Sequence, residues 1–290
     1  MNTVRDIVYQ IRSRRDALSA TERKVADAIL DDIIHAAAAT VEQLAEKAGV
    51  SNATISRFAR SVGCDDTRDL KMKLAQASAV GTRFLDRAAP AEESTFYARI
   101  YADIESTLRA HLPMYTENLF EQAMDIVRNA RMTYVFGMGG ASAVLAQETQ
   151  SRLVRLGYPV AAYSDAVLMR MVAATLDERD AVIMLSASGL TPEMLSGARI
   201  VKQYSARIVA LTDADSPLAQ IADVVLPVRT DETDFIYKPS ASRYAMMLAI
   251  DLLATELAMA RQEETRDRLR RIKLALDEYR GGPNRLPLGD

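Results

Sequence analysis

Two short stretches carry residue types suited to holding an anion. The first, Ser186-Ala-Ser188-Gly189-Leu-Thr191-Pro-Glu193, puts three hydroxyls and a glycine just ahead of a proline. Hydroxyls donate to phosphate oxygens, glycine lets the backbone turn tightly, and Pro192 suits the first turn of a helix. The second is Gly137-Met-Gly139-Gly140-Ala-Ser142. There the backbone can bring N–H groups onto an anion, and the start of a following helix adds partial positive charge. Together they predict a phosphate cradle made of Gly139, Gly140, Ser142, Ser186, Ser188, Gly189 and Thr191. The dinucleotide fingerprint is not met, because Ser142 stands where its third glycine belongs and only Asp165 lies near the end of the second apolar run. A Walker-type Gly-Lys-Ser/Thr is absent, so no nucleotide hydrolysis and no cofactor are expected.

A third stretch, Thr40–Gly63, has the chemistry to read DNA. Thr40 can cap a short helix with Leu44, Ala45 and Ala48 on its inner face, Gly49 supplies a sharp turn, and Ser51 caps a second helix that turns Ile55, Phe58 and Ala59 inward. Its other face carries Asn52, Thr54, Ser56, Arg57 and Arg60. Small polar groups at a helix start followed by arginines suit the major groove, where arginine can read guanine bidentately. Ser51, Asn52, Thr54, Ser56, Arg57 and Arg60 are therefore the expected DNA contacts, with Lys71 touching phosphate and Lys73 on the same face. Residues 1–77 hold twelve Lys and Arg against eleven Asp and Glu. So weak a field implies a dimer on paired half-sites of double-stranded DNA.

The elements that position these groups follow from periodicity. Residues 1–77 show helical spacing only (Val4, Ile7, Val8, Ile11; then Val25, Ala28, Ile29), and Ser19-Ala-Thr-Glu22 has the form of a capping box. From about residue 131, five apolar runs alternate with helical stretches: 132–137, 158–163, 180–188, 206–212 and 223–228. They are rich in valine and isoleucine and do not alternate with polar residues, as in parallel strands buried on both faces. The expected architecture is an all-α domain over 1–77, a linker and interdomain helix over 78–120, a three-layer α/β/α domain with a five-stranded parallel sheet over 121–262, and a C-terminal helix and tail over 263–290.

The bulk numbers narrow the function class. With 49% hydrophobic and 26% charged residues the 290-residue chain reads as folded protein, and its net charge of −3 gives no global basic field. The single cysteine, Cys64, excludes an intramolecular disulfide and a thiolate zinc cluster. His35 and His111 sit in no ligand-spaced motif. No apolar run is long enough to span a membrane and the first residues do not read as a signal peptide, so a cytoplasmic protein is expected.

The segments Ser19-ATERKVADAIL, VEQLAEKAGVSNATISRFARSVGC, FGMGGAS, MLSASGLTPEM and SPLAQIADVVLPV together resemble the RpiR/MurR/HexR family of bacterial regulators, over about residues 3–262. That resemblance implies a flavodoxin-like sugar isomerase (SIS) domain, dimers or tetramers, and control of carbohydrate-metabolism genes by a phosphorylated sugar or sugar acid. Ser186, Ser188 and Thr191 match its phosphate-gripping hydroxyls. The chain departs from the family at Ala141, where serine is common, with Ser142 next. Lys238 and Arg243 are further candidates for the ligand or a neighbouring subunit. The rival class is a phosphosugar isomerase or lyase-type SIS enzyme, which needs a positioned base. Glu148, Glu193 and His111 are the candidates; none is expected to be catalytic, and no metal is expected.

Overall fold

The computed structural model describes residues 6–79, 93–230 and 240–280. Lys238 and the tail 281–290 lie outside them, as does most of the connecting region, 80–92. The chain divides into two compact units near residue 92.

Among the described residues the first unit holds six α-helices: α1 (Ile7–Arg14), α2 (Ala20–Asp31), α3 (Ile33–Ala38), α4 (Val41–Ala48), α5 (Asn52–Ser61) and α6 (Thr67–Ser78). Each starts on a side chain that accepts an amide of its first turn: Asp6, Ser19, Asp32, Thr40, Ser51 and Asp66. Such a cap is worth ~1 kcal/mol, which matters for helices this short. Ser19 with Glu22 and Thr40 with Gln43 form reciprocal capping boxes. One core, centred on Ile11, Val25, Ile29, Leu44, Ile55, Phe58, Leu70 and Leu74, joins all six.

The second unit opens with α7 (Glu93–His111) and α8 (Glu117–Asn129). Five strands follow: β1 (Met132–Gly137), β2 (Val160–Tyr163), β3 (Asp180–Leu185), β4 (Arg207–Thr212) and β5 (Val224–Pro227). They are joined by α9 (Gly140–Arg155), α10 (Ala166–Ala173) and α11 (Pro192–Gln203), and α12 (Ser242–Met259) and α13 (Gln262–Arg280) close the chain. All pairings are parallel, in the order β2-β1-β3-β4-β5. Alternate strand residues feed opposite layers. Val135, Ile183, Val209 and Leu211 pack with Phe120, Leu153 and Ile250 of α8, α9 and α12. Phe136, Val182, Met184 and Ala210 pack with Met169, Met194 and Ala198 of α10 and α11. This is the expected three-layer α/β/α arrangement.

The interdomain helix differs from expectation. α7 packs on α12 and belongs to the sheet-bearing unit. Its last residue, His111, is 1% exposed. The His111 Nε2 accepts the Arg229 N–H at 2.8 Å, and Nδ1 lies 2.7 Å from Thr107 O. A neutral ring protonated on Nδ1 satisfies both, so this histidine fastens α7 to the segment leaving β5.

Candidate functional sites

In the helical unit, Gly49 ends α4 at φ +63°, and the Val50 N–H reaches back to Ala45 O at 2.9 Å. This left-handed stop turns the chain sharply into α5. Ser51 Oγ then accepts the Thr54 N–H at 3.3 Å. Ile55, Phe58 and Ala59 are buried, while Ser51, Asn52, Arg57 and Arg60 are exposed and Ser56 is half-buried.

Two of the expected DNA contacts, Thr54 and Lys71, have partners inside the protein. Thr54 is only 4% exposed. Its hydroxyl lies 3.1 Å from Ser51 Oγ and accepts from Arg57 Nη2 at 3.4 Å, so it serves the helix start. The sequence signal was present, since Thr54 lies four residues before Phe58 and shares its face. Lys71 Nζ donates to Ala36 O at 2.6 Å and to Ala37 O at 2.5 Å, capping the end of α3. Burial lowers the pKa of its ammonium. Lys73 pairs with Asp69 at 2.7 Å.

The sequence reading missed the clamp on the far end of α5. Ser61 Oγ donates to Glu22 Oε1 at 2.7 Å, and Arg14 Nη1 donates to Ser61 O at 2.9 Å. The other Glu22 oxygen accepts from Ser19 Oγ and from the Ser19 N–H. The Ser19 hydroxyl first, and the Ser61 hydroxyl next, hold the Glu22 carboxyl below its ordinary pKa. Only the capping-box half of this arrangement was legible; the reach to Ser61 spans 39 residues.

In the second unit, the strand order makes β1 and β3 neighbours whose following helices go to opposite faces, α9 to one and α11 to the other. Crevices at such a reversal, outside the carboxyl ends of the strands, are where open parallel sheets hold ligands. Both anion-type loops flank it. Gly139, at φ +68°, sets up α9, with Gly140 exposed and Ser142 half-buried in its first turn. Across from it Ser186 is buried, Ser188 exposed and Thr191 half-buried. Ser188 Oγ accepts the Leu190 N–H at 3.4 Å. Thr116 and Asp165 cap α8 and α10 with their side chains, whereas neither Gly139 nor Thr191 caps the amides of α9 or α11. Two helix starts therefore keep amides for an anion.

Two of the three possible bases have partners within the fold. Glu148 is ion-paired to Arg152 at 2.6 Å, Glu193 is exposed in the first turn of α11, and His111 is spent on Thr107 and Arg229. Arg243 lies over the Tyr244 ring, 4.9 Å from its centroid. Among the described residues no helix is long and apolar enough to cross a membrane.

Comparison with known proteins agrees with this division. Residues 5–81 match the helix-turn-helix domain of the rpiR family, and residues 126–256 match the SIS domain. The chain is 32% identical over 289 residues to the HTH-type transcriptional regulator HexR of Pseudomonas aeruginosa, covering 99% of each. It is 34% identical over 266 residues to the bifunctional protein glk of Burkholderia thailandensis, covering 88% of this chain and 40% of that one. Among solved structures, the Vibrio vulnificus NanR protein complexed with ManNAc-6P aligns with a TM-score of 0.60 at 22% identity, covering 94% of this chain and 99% of that one. Near-complete alignment with HexR, both domain matches and the observed two-unit fold agree: the chain belongs to the RpiR-type family of helix-turn-helix transcriptional regulators that carry a SIS domain.

Proposed function

We propose that this protein is a cytoplasmic, DNA-binding regulator of carbohydrate-metabolism genes, whose grip on an operator is set by a phosphorylated sugar or sugar acid in the crevice between β1 and β3. The observation that carries the reading is the convergence of two side-chain-uncapped helix starts and the Ser186, Ser188 and Thr191 hydroxyls at the reversal of strand order. An anion there takes charge-assisted bonds from amides and hydroxyls, while the sugar end reaches outward to neighbouring groups. NanR, solved with ManNAc-6P, supports this ligand class by analogy. In the helical unit, α5 enters the major groove with Ser51, Asn52, Ser56, Arg57 and Arg60 toward DNA. A homodimer or homotetramer brings two such helices to paired half-sites, and a coupling of ~1–3 kcal/mol between effector and DNA is enough for regulation.

Catalysis is not part of the reading, because each candidate base already has a structural partner or lies exposed in a first helical turn. The test is a thermal-shift screen of phosphorylated sugars and sugar acids, followed by the Ser186→Ala/Ser188→Ala double variant. A bound effector raises the melting temperature of the wild type. The double variant should lose that rise and the effect of ligand on DNA binding, yet bind DNA as before. A retained response overturns the site, and turnover of a sugar phosphate overturns the choice of a regulator over an enzyme.

A further inference from the structure

Beneath the Ser186–Thr191 loop lie two buried hydroxyls that the proposed function does not use. Thr212, the last residue of β4, is 0% exposed, and Ser216 is 5% exposed. Their oxygens are 3.2 Å apart. Ser216 Oγ also accepts the Ala219 N–H at 3.2 Å, and the Ser216 N–H donates to Asp213 O at 3.1 Å, so the Ser216 side chain is fixed from its own side.

The loop rests on this pair. Beyond the ends of β3 and β4 the ladder continues, with the Ser186 N–H on Leu211 O at 3.1 Å and the Asp213 N–H on Ala187 O at 3.0 Å. The loop then turns back, the Gly189 N–H meeting Ser186 O at 3.0 Å. Gly189 has φ +62°, a conformation that L side chains rarely adopt. A Cβ there would lie 2.1 Å from Ser216 Oγ and 2.5 Å from Thr212 Oγ1. The turn that presents Ser186, Ser188 and Thr191 is therefore pressed onto the hydroxyl pair, with no room for any other residue.

We infer that Thr212 and Ser216 are positioning residues: bonded to each other, they form a buried latch packed against Gly189 that holds the Ser186–Thr191 loop in its anion-receiving shape. The inference rests on the proposed effector site and adds how that site is kept ready. A loop already ordered avoids the entropic cost of ordering at the moment of binding. Neither hydroxyl has to touch the ligand.

The test uses the full chain with Thr212→Val, which keeps shape and removes the hydroxyl, Ser216→Ala, and Thr212→Ser, which restores the hydroxyl. Two readouts are taken: amide exchange at Gly189 without ligand, and the affinity for inorganic phosphate and glucose 6-phosphate. Thr212→Val and Ser216→Ala are expected to speed Gly189 exchange about tenfold and weaken phosphate binding about fivefold, each reflecting local opening of the loop. Thr212→Ser should stay near wild type in both, and the double variant should be no worse than the weaker single one. A change in fold stability alone would leave phosphate affinity, measured well below the melting temperature, where it was. Should Thr212→Val fail to fold, Ser216→Ala carries the same test. Unchanged Gly189 exchange and phosphate affinity in the hydroxyl-deleted variants overturn the latch. Phosphate affinity retained in Ser186→Ala/Ser188→Ala overturns the site itself, whatever Gly189 does.

Discussion

Replacing Lys71 with methionine keeps most of the aliphatic stem and removes the ammonium. In the folded protein that ammonium serves Ala36 O and Ala37 O, two carbonyls at the end of α3. Ala36 is 0% exposed, so water cannot replace the lost donor without opening the core. Leaving a buried carbonyl unpaired costs about 1–3 kcal/mol. The ammonium is itself partly withdrawn from water, as its lowered pKa records, and its removal returns some of that cost. The expected loss is therefore about 1–2 kcal/mol. For a unit of this size each kcal/mol moves the midpoint by about 4–8 °C, giving a drop of about 4–16 °C in the transition of the helical unit. Calorimetry on the full chain reads it, with DNA binding measured in parallel at several salt concentrations. A phosphate-contacting lysine would behave the opposite way, with unchanged melting and a salt slope reduced by about one. That outcome would refute the capping role and return Lys71 to the DNA face.

Arg57→Ala should weaken specific DNA binding by about 1–3 kcal/mol, an affinity loss of roughly 5–150-fold, while leaving the response to effector intact; wild-type operator affinity would show that α5 faces elsewhere. Glu22 has a folded pKa below the usual carboxylate value of 4.5, so it contributes stability that is present above that pH and lost as pH falls through the folded pKa. Acid unfolding of the helical unit should accordingly be shallower for Glu22→Gln, and identical profiles would show that the Ser19 and Ser61 bonds do not favour the ionised form. Burial pushes the Cys64 thiol up to about 11, so iodoacetamide at neutral pH should label it only on unfolding, and rapid native labelling would contradict its place in the core.

Much of this protein is legible from sequence because local rules and the fold agree. The Ser19 and Thr40 capping boxes start α2 and α4, Gly49 stops α4, and five valine- and isoleucine-rich runs contain the five strands. The run at 158–163 yields a strand only from Val160, where pairing with β1 begins. What escaped depends on contacts between distant segments. Lys71 lies on an outward-looking sequence position, but α3, 34 residues earlier, presents unpaired carbonyls to it. His111 gave no motif because its partner, Arg229, offers only a backbone N–H 118 residues away. The Ser186–Thr191 loop was legible by its hydroxyls, whereas its support from Thr212 and Ser216 emerges only once β4 lies beside β3.

The two margins of the sheet bear on how copies of the chain can join. β2 and β5 are the outer strands, and each is only four residues long. Pro159 immediately precedes β2, and β5 ends at Pro227. The Val228 N–H points to Thr212 O, so position 227 faces the open side, where proline has no N–H to offer. Short, proline-flanked margins resist the strand-to-strand stacking that drives aggregation. With both edges short and flanked by proline, the sheet is poorly suited to continuing into a second copy of the chain, which turns self-association toward its other surfaces.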